Sequence, residues 1–172
     1  MNEIEILQKI EKKVLWLACW MIHNANHIRE NQDGLKVGGH QASSASIVSI
    51  MSALYFSILR PEDRVAVKPH ASPVFHAIQY LSGLQTKEKI ENFRGFGGAQ
   101  SYPSRTKDID DVDISTGSVG LGVAMTSFIS LIQDYIARKQ FYKNKPLGRM
   151  IALVGDAELD EGNVYECQRL EA

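Results

Sequence analysis

A group of carboxylates follows an apolar run near the end of the sequence, in "IALVGDAELDEGN", residues 151–163. Gly155 permits a sharp exit from a buried strand, and Asp156 would then present a carboxylate at the carboxyl edge of a sheet. Mg²⁺ takes oxygen ligands, commonly a carboxylate together with phosphate oxygens. The same pattern suits an aspartate that only caps the following helix, with Asp160 and Glu161 as solvated surface. This stretch alone leaves both interpretations open.

A glycine-rich segment, "TGSVGLGVAM", has glycines at 117, 120 and 122 in front of a predicted helix. Exposed backbone amides at such a turn suit a phosphate group or a closely packed aromatic ring. The spacing differs from the dinucleotide-binding fingerprint, and the Lys-Ser/Thr pair of the phosphate loop in nucleotide hydrolases is missing. Close helix packing is the alternative explanation of these glycines, and it stays open.

Two of the histidines are placed where chemistry is common. His40 follows two glycines and His70 follows "VAVKP", so both are predicted where a turn or strand meets the amino end of a helix. A histidine there can bind phosphate or move protons. For His23, His27 and His76, which lie within or at the ends of helical stretches, we predict structural or surface roles. The spacing assembles no serine-histidine-acid triad and no His/Cys metal cluster.

Helical periodicity dominates the first third of the sequence. Apolar residues from Leu7 to Met21 recur at three-four spacing and predict an amphipathic helix from residue 3 to about residue 23. A second stripe, 47–58, predicts another helix, ended by Pro61, and "RVAVK", 64–68, predicts a short strand.

The middle of the sequence carries cap and stop signals. Ser72 is the predicted cap of a helix with Pro73 in its first turn and Gly83 as its stop. Thr86 is predicted to cap a short helix, 87–93, and a glycine- and proline-bearing loop follows, 95–113.

The last third alternates between helix and strand. The glycine-rich turn leads into a predicted helix that runs to about Lys139, and "RMIALVGD" then predicts a buried strand. Strands that alternate with helices are typical of an α/β domain with a mainly parallel sheet flanked by helices. Ligands bind at the strand ends of such sheets.

Composition limits the class of protein. The 172 residues suit one ordinary domain, 44% of them are hydrophobic, and the formal net charge is -1. No basic field indicates a nucleic-acid or membrane partner, and the longest apolar run, Val14 to Ile22, is too short to span a bilayer. Acidic residues replace the basic leader of a signal peptide. Cys19 and Cys167 have no metal or disulfide spacing, so we predict two lone buried thiols and a cytoplasmic location.

Five segments in order resemble one family: "VGGHQASSASIVSIMSALYF", "HASPVFHAIQYLSG", "IENFRGFGGAQSYPS", "ISTGSVGLGVAM" and "IALVGDAELDEGN". Together they are similar to the amino-terminal domain of thiamine-diphosphate enzymes, above all transketolase and the homodimeric pyruvate dehydrogenase E1 component. The resemblance covers nearly the whole chain from about Ala18. It implies the thiamine-diphosphate-binding α/β fold, with thiamine diphosphate and Mg²⁺ as cofactors.

The resemblance also implies roles for individual residues. Asp156 matches the magnesium ligand, and the implied catalytic residues are His40, His70 and Tyr102. The residues implied to contact thiamine diphosphate are His40, Ser43, His70, Gly117, Ser118, Val119, Gly120, Gly155, Asp156, Ala157 and Glu158.

The sequence departs from the family pattern at two points. The family motif usually reads Gly-Asp-Gly, and Ala157 adds a methyl group at its third position. An asparagine that also ligates the metal, and the pyrimidine-binding domain with its activating glutamate, would lie beyond Ala172. We therefore expect residues 1–172 to be a domain truncated after the Gly-Asp half of the motif and within a predicted helix. It would be a fragment or one subunit of a split enzyme, inactive by itself.

Tyr102 favours one branch of the family. Transketolases carry a "GHPE"-like histidine that contacts the sugar donor, and the corresponding loop here reads "SYPS", as in the pyruvate dehydrogenase type. The resemblance thus implies decarboxylation of a small 2-oxo acid and transfer of the acyl unit to a lipoyl-bearing acyltransferase. The expected assembly is a homo-oligomer or a complex with a complementary pyrimidine-domain chain. The alternatives are transketolase-like ketol transfer and a non-catalytic binding or assembly module.

Overall fold

The computed structural model describes residues 2–30, 34–141 and 146–169. The chain forms two compact units. Unit 1 comprises Met1–Leu59 and His70–Val112, and unit 2 comprises Arg60–Pro69 and Asp113–Ala172. The chain therefore enters unit 2 twice, first through a short strand and again through the C-terminal elements.

Helix α1, Glu3–His23, opens unit 1 and confirms the predicted amphipathic helix. Asn2 Oδ1 accepts a hydrogen bond from the Glu5 amide at 2.8 Å, and Glu5 Oε2 accepts one from the Asn2 amide at 3.1 Å. This reciprocal capping box satisfies amides that would otherwise lack partners at the helix start. The buried face of α1 consists of Val14, Leu17, Ala18, Met21 and Ile22, and a π-helical turn, Asn24–Ile28, extends the helix.

The other helices of unit 1 are short. Helices α2, Gln41–Ala45, and α3, Val48–Ala53, precede a second π-helical turn, Leu54–Ile58, so the predicted helix 47–58 is observed as α3 and this turn. A 3₁₀ turn, Pro69–Ala71, leads into α4, Ser72–Leu81.

The prediction that Ser72 caps α4 is wrong. Ala71 occupies the cap position, so Ser72 lies inside the helix and its buried Oγ has no partner among the described residues. The stop is confirmed, because Gly83 adopts a left-handed φ of +78° just beyond the helix. Thr86 caps α5, Lys87–Glu91, as predicted, by accepting from the Lys89 amide at 3.3 Å.

A buried polar network centres on His76 in α4. Its Nδ1 pairs with Asp110 Oδ2, its Nε2 lies 2.9 Å from the Gln100 carbonyl, and the Gln85 amide donates to the same aspartate. Burial raises the pKa of the Asp110 carboxyl above its ordinary value, against the opposing effect of its bond to His76. The predicted structural role of His76 is confirmed, and the exposed rings of His23 and His27 lie on the surface, 5.0 Å apart.

Unit 2 contains a two-stranded parallel sheet. Strand β1, Arg64–Ala66, pairs with β2, Met150–Ala152, in a register that sets Ala66 opposite Ala152. Both strands are shorter than the predicted 64–68 and 149–156. At the start of the sheet, Asp63 accepts hydrogen bonds from the Arg149 amide at 2.8 Å and from its guanidinium at 2.5 Å. This bonding holds the pKa of the Asp63 carboxyl well below its usual range.

Helices accompany this sheet in unit 2. They are α6, Leu121–Arg138, and α7, Gly162–Arg169, with a 3₁₀ turn, Asp156–Asp160, between β2 and α7. Parallel strands joined through helices confirm the predicted α/β class in its general form. The prediction that the chain ends within a helix concerns 170–172, which lie outside the described residues.

Both cysteines are free, and only Cys167 is buried, so the prediction of a buried thiol is wrong for the half-buried Cys19. Within the described part of the chain, no helix combines the length and the apolar character that crossing a membrane requires.

Candidate active site

The sequence-predicted residues of unit 1 come together around one cleft. His40, Ser43, His70 and Tyr102 all line a cleft of about 190 Å³. These residues are far apart in sequence and lie on three separate segments, so the fold of unit 1 brings them together. The structure thus supports treating them as one candidate site.

The double glycine before His40 lets the chain approach α1 closely. The Gly38 amide donates to Asn26 Oδ1 at 2.7 Å, and Asn26 Nδ2 donates to the Gly39 carbonyl at 3.1 Å. A Cβ at Gly38 would lie 2.4 Å from the Ile22 carbonyl oxygen, so only glycine fits there. His40 then takes the N-cap position of α2, which confirms its predicted place at a helix amino end.

His70 lies in the turn that begins α4, also as predicted. Its carbonyl accepts a hydrogen bond from Ser44 Oγ at 3.3 Å, which fixes this turn against α2. The side chains of His40, His70 and Tyr102 are exposed. The cleft is therefore open to solvent, and its imidazoles are accessible to a ligand.

The sequence reasoning missed Arg94, which lines the same cleft. Arg94 adopts a left-handed φ of +61°, an uncommon conformation for a non-glycine residue. Its Nη1 donates to the Val37 carbonyl at 2.7 Å, and the guanidinium lies 5.1 Å from the centre of the Phe93 ring. Burial lowers the pKa of the guanidinium. The signal in the sequence was its position at the start of the glycine-rich "RGFGG", directly before Gly95.

In unit 2, Glu158 organises the exit from β2. Its Oε2 accepts from the Gly155 amide at 2.6 Å and its Oε1 from the Gly120 amide at 3.4 Å, while its own amide donates to the Gly155 carbonyl at 3.1 Å. Glu158 is therefore the residue that caps this turn. The interpretation of Asp156 as a mere cap is wrong, because its exposed carboxylate accepts no hydrogen bond from a described residue.

Lys68 lies beside this exit. The parallel register continues past the strands, since the Leu153 amide donates to the Ala66 carbonyl at 2.9 Å. Lys68 Nζ consequently lies 3.0 Å from the position that a Cβ at Gly155 would take. Among the described residues it forms no ion pair. The sequence reasoning missed Lys68 because its proximity to Gly155 appears only once the two strands are paired.

The glycine-rich turn was predicted either to present amides to a ligand or to allow close helix packing, and different glycines of the turn fit different interpretations. Gly120 has a φ of +76°, and its Cβ position lies 3.0 Å from Glu161 Cβ, so packing explains this glycine. Packing also explains Gly122, whose Cβ would lie 3.2 Å from that of Ala66. In contrast, the amides of Gly117, Ser118 and Val119 donate to no carbonyl among the described residues.

The residues of unit 2 fit a magnesium ion that takes some of its oxygen ligands from the protein and the rest from a bound diphosphate. No group of three or more His, Cys, Asp or Glu side chains in the described residues could hold a metal by itself. Mg²⁺ bound to phosphate oxygens needs only one or two carboxylates, and Asp156 offers one. Ala157 is exposed and is not among the described non-glycine residues with positive φ, so its methyl group fits the backbone.

Comparisons with known proteins identify the family of this domain. Residues 38–172 match the family model described as "Transketolase, thiamine diphosphate binding domain". The chain is 28% identical over 169 residues to the pyruvate dehydrogenase E1 component of Buchnera aphidicola, covering 93% of this chain and 18% of that protein. For the Escherichia coli K12 component, the identity is 26% with the same coverage. The mouse transketolase-like protein 2 is 30% identical over 139 residues, with 74% and 21% covered.

The chain thus spans about a fifth of the length of these relatives. The match includes the site residues of both units, because it extends from the double glycine before His40 through the Gly155–Asp156 pair.

Proposed function

Since the chain belongs to the family of transketolase thiamine diphosphate-binding domains, we propose that it takes part in the thiamine-diphosphate- and Mg²⁺-dependent decarboxylation of a small 2-oxo acid. The observation that carries this proposal is the exposed carboxylate of Asp156 beside Gly155 at the exit of β2. Within the described residues this carboxylate has no hydrogen-bond or ion-pair partner, so it can ligate a cation.

In the proposed role, unit 2 holds the diphosphate end of the cofactor. Asp156 ligates Mg²⁺, and the Lys68 ammonium adds positive charge near Gly155. The amides of Gly117, Ser118 and Val119, which donate to no described carbonyl, would offer further contacts to phosphate oxygens or to a ring. Glu158 keeps Gly155 and the glycine-rich turn at a fixed spacing through its two hydrogen bonds. When bound, thiamine diphosphate supplies the electron sink that decarboxylation of a 2-oxo acid requires.

In unit 1, the cleft would receive the substrate. His40 and His70 present imidazoles that can take or give a proton at a ring nitrogen, and Ser43 adds a hydroxyl. Tyr102, which lines this cleft, supports a 2-oxo acid rather than a sugar phosphate, because transketolases have a histidine at the matching loop position. The acyl unit would then pass to a lipoyl group on a partner acyltransferase.

Ketol transfer of the transketolase type is the second candidate. It is favoured by the 30% identity to the mouse transketolase-like protein 2. We further propose that the active assembly contains a second copy or a chain with the pyrimidine-binding domain. The free state of both cysteines supports a reducing compartment such as the cytoplasm.

The test is an assay of the full protein that carries this chain, with Mg²⁺, thiamine diphosphate and an artificial electron acceptor. We expect turnover of pyruvate or a near relative without any sugar phosphate. Transfer from xylulose 5-phosphate with no 2-oxo acid turnover would establish the second candidate instead. The isolated 172-residue chain is expected to be inactive by itself.

A further inference from the structure

The guanidinium of Arg94 carries a charge that the described residues do not balance. No carboxylate of the described residues lies within ion-pair distance of it. Its Nε is buried without a hydrogen-bond partner in the described residues, where the side chain is fixed by the donation from Nη1 to the Val37 carbonyl. Charged side chains are rarely buried unless they are paired, so this arginine is set up for an anion.

The surroundings of the guanidinium hold it in place at the wall of the cleft. The Phe93 ring lies beneath it, and Gly39 approaches so closely that a Cβ there would lie 3.1 Å from Nη1. The Arg94 amide also donates to the Ala99 carbonyl at 2.8 Å, which fixes the left-handed backbone. The side chain is therefore preorganised before any ligand arrives, which lowers the entropy lost on binding.

The other polar groups of the cleft can all donate a hydrogen bond. His40, His70, Ser43 and Tyr102 line it together with Arg94, and no carboxylate of a described residue does. A planar guanidinium matches the geometry of a carboxylate, whose two oxygens can accept parallel N–H bonds. The cleft, at about 190 Å³, suits a small anion.

We infer that Arg94 forms a carboxylate-binding subsite for the 2-oxo acid in the cleft of unit 1. The inference rests on the proposed function, because it takes the substrate to be a 2-oxo acid. It assigns to Arg94 a role in substrate affinity, separate from the diphosphate and metal contacts proposed for unit 2.

The experiment compares Arg94→Gln and Arg94→Lys with a matched control, Arg29→Gln, in the full protein. Arg29 anchors the same segment, since its Nη1 donates to the Phe93 carbonyl at 2.9 Å, but it does not line the cleft. For Arg94→Gln we expect the KM for pyruvate to rise about tenfold or more with kcat within about threefold. Arg94→Lys, which keeps the charge but not the planar fork, should show a smaller rise. The control should keep the wild-type KM.

A second readout does not depend on turnover. Oxamate is an unreactive isostere of pyruvate, and calorimetry should show that Arg94→Gln weakens its binding about tenfold, while binding of Mg²⁺ and thiamine diphosphate is unchanged. If Arg94→Gln does not fold, as judged by circular dichroism, Arg94→Lys gives the same two measurements.

The outcomes separate the two proposals. Suppose that the wild-type protein turns over pyruvate and that the Arg94 variants keep both the KM and the oxamate affinity. This result would overturn the subsite and leave the proposed function standing. The subsite would also be overturned if the variants lost affinity for the cofactor instead of affinity for the substrate. A wild-type protein without 2-oxo acid turnover that still binds oxamate through Arg94 would support the subsite and overturn the proposed function.

Discussion

The two units of the chain differ in how far their helices are buried. In unit 1, every residue of α4 from Ser72 to Gln79 is buried. In unit 2, the 18 residues of α6 include one buried residue, Thr126. The sequences of both helices are rich in apolar residues, so composition alone does not explain the difference.

Exposure of individual side chains makes the contrast concrete. Phe75 and Ile78 in α4 are 2% and 1% exposed, whereas Phe128 and Ile132 in α6 are both 57% exposed. The candidate substrate cleft therefore lies on a unit with a closed core. The candidate metal and diphosphate residues lie on unit 2, whose helix α6 has exposed apolar side chains, and such surface commonly marks an interaction site.

The largest expected effect comes from breaking the buried network of unit 1. Asp110→Ala removes the partner of His76 Nδ1 and of Gln85 Nε2, so each of these buried nitrogens loses its bond to the carboxylate. We expect the free energy of unfolding to fall by about 3–5 kcal/mol, measured by chemical denaturation. The control is Asp134→Ala on the exposed surface of α6, with a change below about 0.5 kcal/mol. Equal effects of the two substitutions would contradict the contrast between the units.

The same apolar truncation in each unit tests the contrast directly. Ile78→Ala in α4 creates a cavity in a closed core and should lower the free energy of unfolding by about 2–5 kcal/mol. Ile132→Ala in α6 removes a side chain that is already mostly in water, and alanine favours the helix, so the loss should stay below about 1 kcal/mol. A large loss at Ile132 in the full protein would show that a partner surface covers α6.

Sequence patterns predicted most of the elements. Three-four periodicity found α1 because its buried face repeats from Val14 to Ile22, and glycine at position 83 marked the end of α4. Ser72 failed as a cap because cap position depends on where the preceding 3₁₀ turn ends, which tertiary packing decides. The strands 64–66 and 150–152 were predicted in place but too long, since pairing with a neighbour and not apolarity sets their ends.

The candidate site could be predicted only in part. His40 and His70 were predicted from their positions before helix amino ends, and Ser43 and Tyr102 through the family resemblance. The structure brings all four to one cleft. Arg94 and Lys68 were missed for a physical reason. Their surroundings arise from contacts across long stretches of sequence, with Val37 for Arg94 and with Gly155 for Lys68.

Asp156→Ala should lower cofactor affinity and leave stability nearly unchanged, whereas Asp110→Ala should lower stability. Its carboxylate is exposed and accepts no bond from a described residue, so stability should change by less than about 0.5 kcal/mol. Calorimetry on the full protein should instead show at least a tenfold loss of Mg²⁺-dependent affinity for thiamine diphosphate, consistent with one charge-assisted contact of about 1.5–3 kcal/mol. Unchanged metal-dependent binding would remove Asp156 from the proposed metal site.

Lys68→Met should give the smallest effect and decide what the ammonium beside Gly155 contributes. Lys68 is half-buried and lacks an ion-pair partner among the described residues, so its removal should leave the melting temperature nearly unchanged. If it faces the diphosphate, affinity for thiamine diphosphate with Mg²⁺ should fall about three- to tenfold, and the difference from wild type should shrink as salt is added, because screening weakens an exposed charge contact. Lys68→Arg keeps the charge and should retain most of the affinity. Lys87→Met in unit 1 serves as the control for loss of one positive charge, since Lys87 pairs with Glu91 on α5. If Lys68→Met and the wild type bind thiamine diphosphate with equal affinity at low salt, Lys68 does not neutralise the diphosphate. The metal held by Asp156 would then be the proposed source of positive charge in unit 2.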